Sequence, residues 1–115
     1  MATGDFAVDI AAINSTLSSI EKVLRIDDMQ AQVAELEILA SAPDLWDDQA
    51  NAQRVTGKLS VLQADIGRIK NLRSRVDDVQ VLWEMGDAES DQGILDEAGA
   101  ELIALEKSIG ELEVR

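Results

Sequence analysis

Apolar residues recur along the first part of the chain at steps of three and four, the spacing of one face of an α-helix. The run from Phe6 to Leu24 predicts a first helix that ends at about Leu24, and the residues before Asp5 are expected to be frayed. The next apolar positions predict a second helix and are Met29, Val33, Leu36, and Leu39 or Ala40. The polar residues between the two helices indicate a break rather than a bend, with Asp27 or Asp28 as the candidate N-cap.

The segment Ser41–Gln49, called the elbow below, separates this region from a second periodic region and holds the only proline of the chain. Because Pro43 disfavours the helical conformation at the residue before it, the second helix is expected to stop near Ser41. Asp47 or Asp48 can cap the following helix by accepting hydrogen bonds from its free backbone N–H groups. The elbow is therefore predicted to end one helix, turn the chain and start the next helix.

Two large apolar side chains, Leu45 and Trp46, lie inside the elbow. Either of them can fold back on the first turn of the following helix as a hydrophobic staple. For Trp46, this packing role is preferred to an exposed docking role. The second tryptophan, Trp83, is expected to pack into a seam between two helices rather than to dock a partner.

A long helix is predicted after the elbow. Its apolar seam contains Val55, Leu59, Leu62, Ile66, Ile69, Leu72, Val76, Val79, and Leu82 or Trp83. The helix is expected to continue to about Met85, with Gly86 as the residue that ends it. Its length of roughly 55 Å, at a rise of 1.5 Å per residue, favours an elongated bundle.

The seam of the long helix contains one irregularity, since Ile66, Ile69 and Leu72 follow each other at two consecutive steps of three. Such a slip either overwinds a coiled coil locally or marks the place where the partner helix changes. Gly57 and Gly67 lie in the same helix, where each costs about 1 kcal/mol relative to alanine. They are interpreted as tolerated in a long helix rather than as sites of close helix approach.

A last helix follows an acidic turn, residues 86–93, that is bounded by glycines. Its apolar seam is the most regular in the chain and contains Leu95, Ala98, Leu102, Leu105, Ile109 and Leu112. This helix is expected to pair antiparallel with the long helix across the turn. The pattern continues to Arg115 without a helix-stop signal, which suggests a piece of a larger protein. The predicted fold is all-α, an elongated helical bundle of three to four helices with an antiparallel coiled-coil hairpin.

Composition agrees with a helical fold and restricts the partners. Of the 115 residues, 46% are hydrophobic but only 3% are aromatic, so the core must be aliphatic. The net charge of −13 opposes a direct nucleic-acid interface, which normally carries a basic face, and favours a basic or apolar protein surface as partner. The sequence contains no cysteine, no signal-peptide pattern and no run long enough to span a bilayer. A cytoplasmic protein is expected.

The residues that carry most enzyme chemistry are missing. The chain has no histidine and no cysteine, which excludes a zinc site built from them, the histidines of di-iron bundles and a histidine acid–base pair. Acid pairs such as Asp47–Asp48, Asp77–Asp78 and Glu111–Glu113 are interpreted as solvated helix faces rather than a carboxylate catalytic site. No catalytic, cofactor-binding or metal-binding residue is assigned, and the chain is not expected to be an enzyme.

A local concentration of positive charge interrupts the acidic pattern of the long helix. Four of the ten basic residues occur within eight positions, and they are Arg68, Lys70, Arg73 and Arg75. They form either a contact site for an acidic or RNA partner, or a set of ion pairs with a neighbouring acidic helix together with plain solvation. The second interpretation is preferred.

Three stretches of the sequence match a known pattern. They are Ala42-Pro43-Asp44-Leu45-Trp46-Asp47-Asp48, Ala52-Gln53-Arg54-Val55 and Leu112-Glu113-Val114-Arg115. With them the chain resembles the N-terminal domain of the bacterial peptide chain release factor 2 family, from about Leu24 onward. Gln49 stands where that family commonly has proline. Proline is favoured but not required in a first helical turn, so the departure leaves the fold interpretation unchanged.

The resemblance implies a protein that enters the ribosomal decoding site, reads UAA and UGA, and triggers hydrolysis of peptidyl-tRNA. In that family a Ser-Pro-Phe tripeptide reads the codon and a Gly-Gly-Gln loop supports hydrolysis, and neither occurs in this sequence. The resemblance therefore implies an N-terminal positioning domain, spanning residues 1–115, whose full-length parent meets the stalk-base region of the large ribosomal subunit. Self-association of the isolated chain through uncovered apolar stripes is also open.

Two alternatives belong to other classes. A small helical-hairpin adaptor or secreted protein without a role in translation fits the length and helicity, but its nearest family carries Trp-x-Gly in the central turn. Trp46 is followed here by two aspartates, and Gly86 is three positions after Trp83 rather than two, so the spacing fails at both tryptophans. A carboxylate enzyme would need metal-dependent turnover.

Overall fold

The computed structural model describes residues 3–113, and the side chains of residues 6–112. This part of the chain is helical, without strands, and its elements are α1 (Thr3–Leu24), α2 (Ile26–Ala40), a short 3-10 helix (Leu45–Asp47), α3 (Gln49–Glu89) and α4 (Gln92–Glu113). The all-α prediction is confirmed. Since α1 begins at Thr3, the expected fraying is wrong for Thr3 and Gly4. Residues 1–2 and 114–115 lie outside the described part.

The chain divides into two compact units. The bundle unit contains α1 up to Ile20 together with the chain from Lys70 through α4, and the elbow unit runs from Glu21 to Ile69. Helix α3 therefore contributes to both units. Each unit has a hydrophobic cluster of its own, and the two clusters share no residue.

The core of the bundle unit is built by three helices. Its buried residues are Ile10, Ile13, Leu17, Leu72, Val76, Val79, Ala98, Leu102, Leu105 and Ile109. The seam predicted for α4 is thus confirmed, as is its pairing with the long helix. The pairing is antiparallel, because Gly86 meets Leu95 next to the turn while Arg75 meets Glu101 further from it. Helix α1 packs into this core through its own apolar stripe.

The turn between α3 and α4 differs from the prediction. Helix α3 continues through Gly86, and Ser90 takes the left-handed conformation, with φ 51°. The N–H of Asp91 donates to the carbonyl of Gly86 (2.9 Å) and the N–H of Ser90 donates to that of Asp87 (3.3 Å), which is a Schellman motif. The prediction that Gly86 ends the helix is wrong. Gly86 serves packing instead, since a Cβ there would lie 2.9 Å from Cδ2 of Leu95.

The break between α1 and α2 is confirmed, but its cap is not the predicted one. Arg25 is left-handed, with φ 56° and ψ 60°, and it precedes Ile26 without a capping side-chain hydrogen bond. Asp27 and Asp28 both lie inside the first turn of α2, so neither caps it. They place negative charge at the positive end of the helix dipole. Oδ2 of Asp28 also forms an ion pair with Nε of Arg25 at 2.8 Å.

The core of the elbow unit is smaller. Its buried residues are Leu36, Leu45, Ala52 and Val55, with Ala40, Leu59 and Leu62 packed against them. Ala40 therefore completes the buried face of α2, while Leu39 is 50% exposed. A Cβ built on Gly57 or Gly67 would meet nothing within 4 Å, which confirms that both glycines are tolerated rather than required for close approach.

The partners of α3 change along its length. Up to Leu62 its seam packs in the cluster that contains Leu36 and Leu45, and from Leu72 it packs with α1 and α4. The boundary between the two units follows Ile69, in the middle of the irregular steps of the seam. Of the two interpretations of that irregularity, a change of partner helix is the one that the described contacts support.

Candidate interaction surface

No group of three or more acidic side chains among the described residues is placed to hold a metal ion. Asp47, Asp48, Asp77 and Asp78 are exposed, as expected for solvated acid pairs. Among the helices of the described chain, none combines the length and the hydrophobicity required to cross a bilayer.

The elbow is held by local hydrogen bonds on both sides of Pro43. The N–H of Ala42 donates to the carbonyl of Leu39 (3.2 Å), and the N–H of Leu45 donates to the carbonyl of Ala42 (3.1 Å). On the C-terminal side, Oδ1 of Asp48 accepts from the N–H of Asn51 (3.1 Å) and so caps α3. Both the predicted helix stop and the predicted cap are confirmed, with Asp48 as the capping residue.

The structure separates the two apolar side chains of the elbow. Leu45 is 6% exposed and packs in the same cluster as Ala52, which lies in the first turn of α3, whereas Trp46 is 60% exposed. Neighbouring side chains in a 3-10 helix are about 120° apart, at three residues per turn, so burying Leu45 turns Trp46 away from the core. The predicted packing role of Trp46 is therefore wrong, and Leu45 fills that role.

Two further apolar residues are exposed directly before the elbow. Ile38 is 73% exposed and Leu39 is 50% exposed, both in the last turn of α2. With Trp46 they are called the elbow surface below. Exposed tryptophan is typical of interface hot spots, because a rigid aromatic ring buries much area at a low entropy cost. The elbow surface is the first candidate for contact with a partner.

Arg68, Arg73 and Arg75, three of the four clustered basic residues of α3, have partners inside the chain. In the elbow unit, Arg68 pairs with Asp65 one turn earlier (3.3 Å). In the bundle unit, Nη2 of Arg75 contacts Oε1 of Glu101 on α4 at 2.6 Å, and both side chains are about two-thirds buried. This ion pair joins α3 to α4, as the preferred interpretation of the basic residues predicts.

Arg73 contacts the other neighbouring helix, α1. Its guanidinium donates to the side-chain oxygen of Asn14 and to Oγ of Ser18 (3.1 Å), both on α1. Lys70 is exposed. Because Arg73 and Arg75 are engaged by different helices of the bundle unit, they do not form one basic face. A continuous contact site for an acidic partner is therefore not supported.

The second tryptophan behaves as predicted. Trp83 is half-buried and packs, together with Leu82, against the core of the bundle unit. Leu82 and Trp83, the two alternatives predicted for the last position of the α3 seam, therefore both pack against the core. The pattern of apolar steps could not separate the two residues, because each is adjacent to the seam.

Comparisons with known proteins find close relatives. A family model described as the PCRF domain matches residues 29–115. Peptide chain release factor 2 of Salinispora arenicola is 53% identical over 115 residues, that of Streptomyces avermitilis is 45% identical over 115, and that of Mycobacterium avium is 50% identical over 114. These matches cover 100%, 100% and 96% of this chain, but only 31%, 31% and 30% of the relatives. The chain thus spans less than a third of their length.

Proposed function

The chain belongs to the PCRF domain family, as the elbow motif predicted, and from this premise we propose that it is the N-terminal domain of a cytoplasmic translation termination factor. The observation that carries the proposal is the match of the family model to residues 29–115, together with 53% identity to a release factor 2 over the whole chain. No feature of the described residues favours the helical-hairpin adaptor over this function.

In this proposal, codon recognition and peptidyl-tRNA hydrolysis are carried out by residues outside this chain. The resemblance assigns codon recognition to a Ser-Pro-Phe tripeptide and peptidyl-tRNA hydrolysis to a Gly-Gly-Gln loop, and the sequence contains neither. The absence of histidine and cysteine supports the same view. The chain itself performs no catalysis, and its parent directs release at UAA and UGA through regions beyond these residues.

The role of the chain is to position the parent on the ribosome by contact with basic protein near the stalk base of the large subunit. Two features support this role. The net charge of −13 favours basic protein over RNA as the partner, because phosphates would be repelled. The elbow surface offers Trp46 on a backbone that is hydrogen-bonded on both sides, so little conformational entropy is lost when it docks.

A peptide-release assay tests the proposed function. Ribosomes that carry peptidyl-tRNA at UAA, UGA or UAG are treated with the full-length parent, with this chain alone, and with the parent lacking this chain. We expect release by the parent at UAA and UGA, none by the chain alone, and a raised half-saturating concentration for the truncated parent. Release by the chain alone, or a parent that is inert at all three codons, would contradict the proposal.

The elbow surface is tested by Trp46→Ala in the parent. Truncation of a hot-spot tryptophan costs about 1–2 kcal/mol, so we expect about a tenfold rise in the half-saturating factor concentration with an unchanged maximal release rate. The matched control is Val61→Ala, which removes the two methyl groups of a side chain that is 61% exposed in the same unit. An equal effect of both substitutions would show that Trp46 has no special role. Light scattering of the wild-type chain and of Trp46→Ala tests whether this surface instead joins two copies, because a dimer through it would be lost in the variant.

A further inference from the structure

The hairpin of α3 and α4 in the bundle unit has two sides, and only one is covered. On the covered side, Arg73 reaches α1, and the ring of Phe6 lies over Gly99, where a Cβ would be 2.8 Å from Cζ. On the other side, Arg75 and Glu101 join α3 to α4 directly. The described residues place no helix of the bundle unit over that second side.

A groove of about 650 Å³ lies on the open side. Its apolar lining comes from Val79 and Leu82 on α3 and from Ala100 and Ala104 on α4. Val79 is only 1% exposed, so the groove reaches down to the core, and the two alanines are exposed. Because the side chains of these alanines are short, the groove is shallow on its α4 side.

The rim of the groove is acidic. Asp78 on α3 and Glu97 and Glu101 on α4 line it, together with a single base, Arg75. Arg75 is already paired with Glu101 at 2.6 Å. The carboxylates of Asp78 and Glu97 therefore leave the groove negative on both of its helices, and an apolar ligand that carries positive charge at its edges complements it.

We propose that this groove binds an amphipathic helix of a basic partner protein. The apolar face of the helix would cover the two alanines and Leu82, and its lysines or arginines would face Asp78 and Glu97. The same hairpin already holds a helix on its other side, through Ile10, Ile13 and Leu17 of α1. The line from Glu97 to Ala104 is two turns of α4, about 10 Å, which suits the i, i+3, i+4, i+7 anchors of a docked helix.

The proposal goes beyond the positioning role, because it concerns a second surface in the other unit. It also holds or fails whether or not the parent terminates translation. The probe is a fluorescent synthetic peptide of about 18 residues, long enough for five helical turns, with leucine and alanine on one face and lysine on the other. A peptide of the same composition, scrambled so that no apolar face forms, is the comparison for charge alone.

Binding of the peptide to this chain is measured by fluorescence anisotropy at about 0.15 M salt, where the Debye length is about 8 Å and distant charges are screened. We expect a dissociation constant of about 10 μM, near −7 kcal/mol, and at least tenfold weaker binding of the scrambled peptide. The double variant Asp78→Lys with Glu97→Lys is expected to weaken binding at least tenfold, as is Ala104→Leu, which fills the groove.

The matched controls change the same chemistry outside the groove. They are the double variant Asp77→Lys with Glu106→Lys, on the same two helices, and Ala12→Leu, at an exposed position of α1. Each is expected to leave the dissociation constant within about twofold, less than 0.5 kcal/mol. Circular dichroism checks the helix content of each variant. If Ala104→Leu lowers the helix content, the charge variants decide alone.

Three results would overturn the proposal. The first is equal binding of the amphipathic and scrambled peptides. The second is an equal loss of binding in the groove and control charge variants, which would indicate diffuse attraction to an acidic surface. The third is a wild-type dimer in light scattering that becomes monomeric in Ala104→Leu, which would show that a second copy of the chain occupies the groove.

Discussion

The bundle unit and the elbow unit are both helical, yet the buried cluster of the bundle unit has ten residues and that of the elbow unit has four. Three helices close around the first, and Leu17, Val76 and Leu105 are fully buried there. In the second, the cluster formed by α2, the elbow and the beginning of α3 contains only Leu36, Leu45, Ala52 and Val55, and Ile66 and Ile69 are buried further along α3.

The exposed apolar residues show the complementary difference. Among residues 6–112, the large exposed ones in the elbow unit are Val23, Leu24, Ile38, Leu39, Trp46 and Val61, and those in the bundle unit are Val8, Val81, Met85 and Ile103. Single exposed aliphatic residues are normal on protein surfaces. Of the described residues, only the elbow unit exposes a tryptophan, and it also exposes Ile38 and Leu39 in the turn of α2 that precedes the elbow. The comparison indicates that the bundle unit has the larger buried cluster, while the elbow unit leaves more of its large apolar side chains exposed.

The largest expected effect comes from core truncation in each unit. We expect Leu105→Ala in the bundle unit to lower the free energy of unfolding by about 4 kcal/mol and Leu45→Ala in the elbow unit to lower it by about 2 kcal/mol. The reason for the difference is that a cavity enclosed by three helices collapses less than one beneath a short turn. Urea unfolding followed by far-ultraviolet circular dichroism measures both values.

The control for core truncation is Ile103→Ala, on the same helix as Leu105 but 68% exposed, which should change the free energy of unfolding by no more than about 0.5 kcal/mol. Tryptophan fluorescence separates the units, since Trp83 lies in the bundle unit and Trp46 in the elbow unit. Equal losses of unfolding free energy for Leu105→Ala and Leu45→Ala would contradict the proposed difference between the two cores.

A smaller effect, of opposite sign in the two units, is expected from glycine substitution. Gly86→Ala should lower the free energy of unfolding by about 1–2 kcal/mol, because the new Cβ would lie 2.9 Å from buried Leu95. Gly57→Ala should raise it by about 0.5–1 kcal/mol, because nothing lies near the new Cβ and the unfolded chain loses conformational freedom. Thermal unfolding reports both. Gly67→Ala repeats the second test, and a destabilised Gly67→Ala would argue against open space around α3 in the elbow unit.

The smallest expected effect comes from the ion pairs. Glu101→Gln in the bundle unit should lower the free energy of unfolding by about 0.5 kcal/mol, and Asp65→Asn in the elbow unit by no more than about 0.3 kcal/mol, since solvent screens both pairs. The first pair joins two helices, whereas the second joins successive turns of one helix. Unfolding at low salt and at about 1 M salt, where the Debye length is about 3 Å, measures the difference. A larger loss of unfolding free energy for Asp65→Asn than for Glu101→Gln would contradict this prediction.

Much of the fold could be predicted from the sequence. The apolar stripes located four helices, the elbow at Pro43 and the buried seam of α4, because helical periodicity and the restriction before proline act over a few residues. The irregular steps from Ile66 to Leu72 allowed two interpretations, and the described contacts support the one in which the partners of α3 change. The elbow motif likewise pointed to the family that the comparisons found. Each of these signals is local in the sequence and does not depend on which helix packs against which.

Tertiary structure decided the remaining points. Trp46 is exposed because Leu45 takes the one inward position of the short 3-10 helix. Because Gly86 has no side chain, Leu95 of α4 packs closely against it after the turn. The left-handed conformation in the turn is adopted by Ser90. The open groove beside Arg75 exists because α1 covers only one side of the hairpin. The sequence by itself determined which faces are apolar, whereas the arrangement of neighbouring helices determined which of them are covered, because burial depends on residues that are distant along the chain.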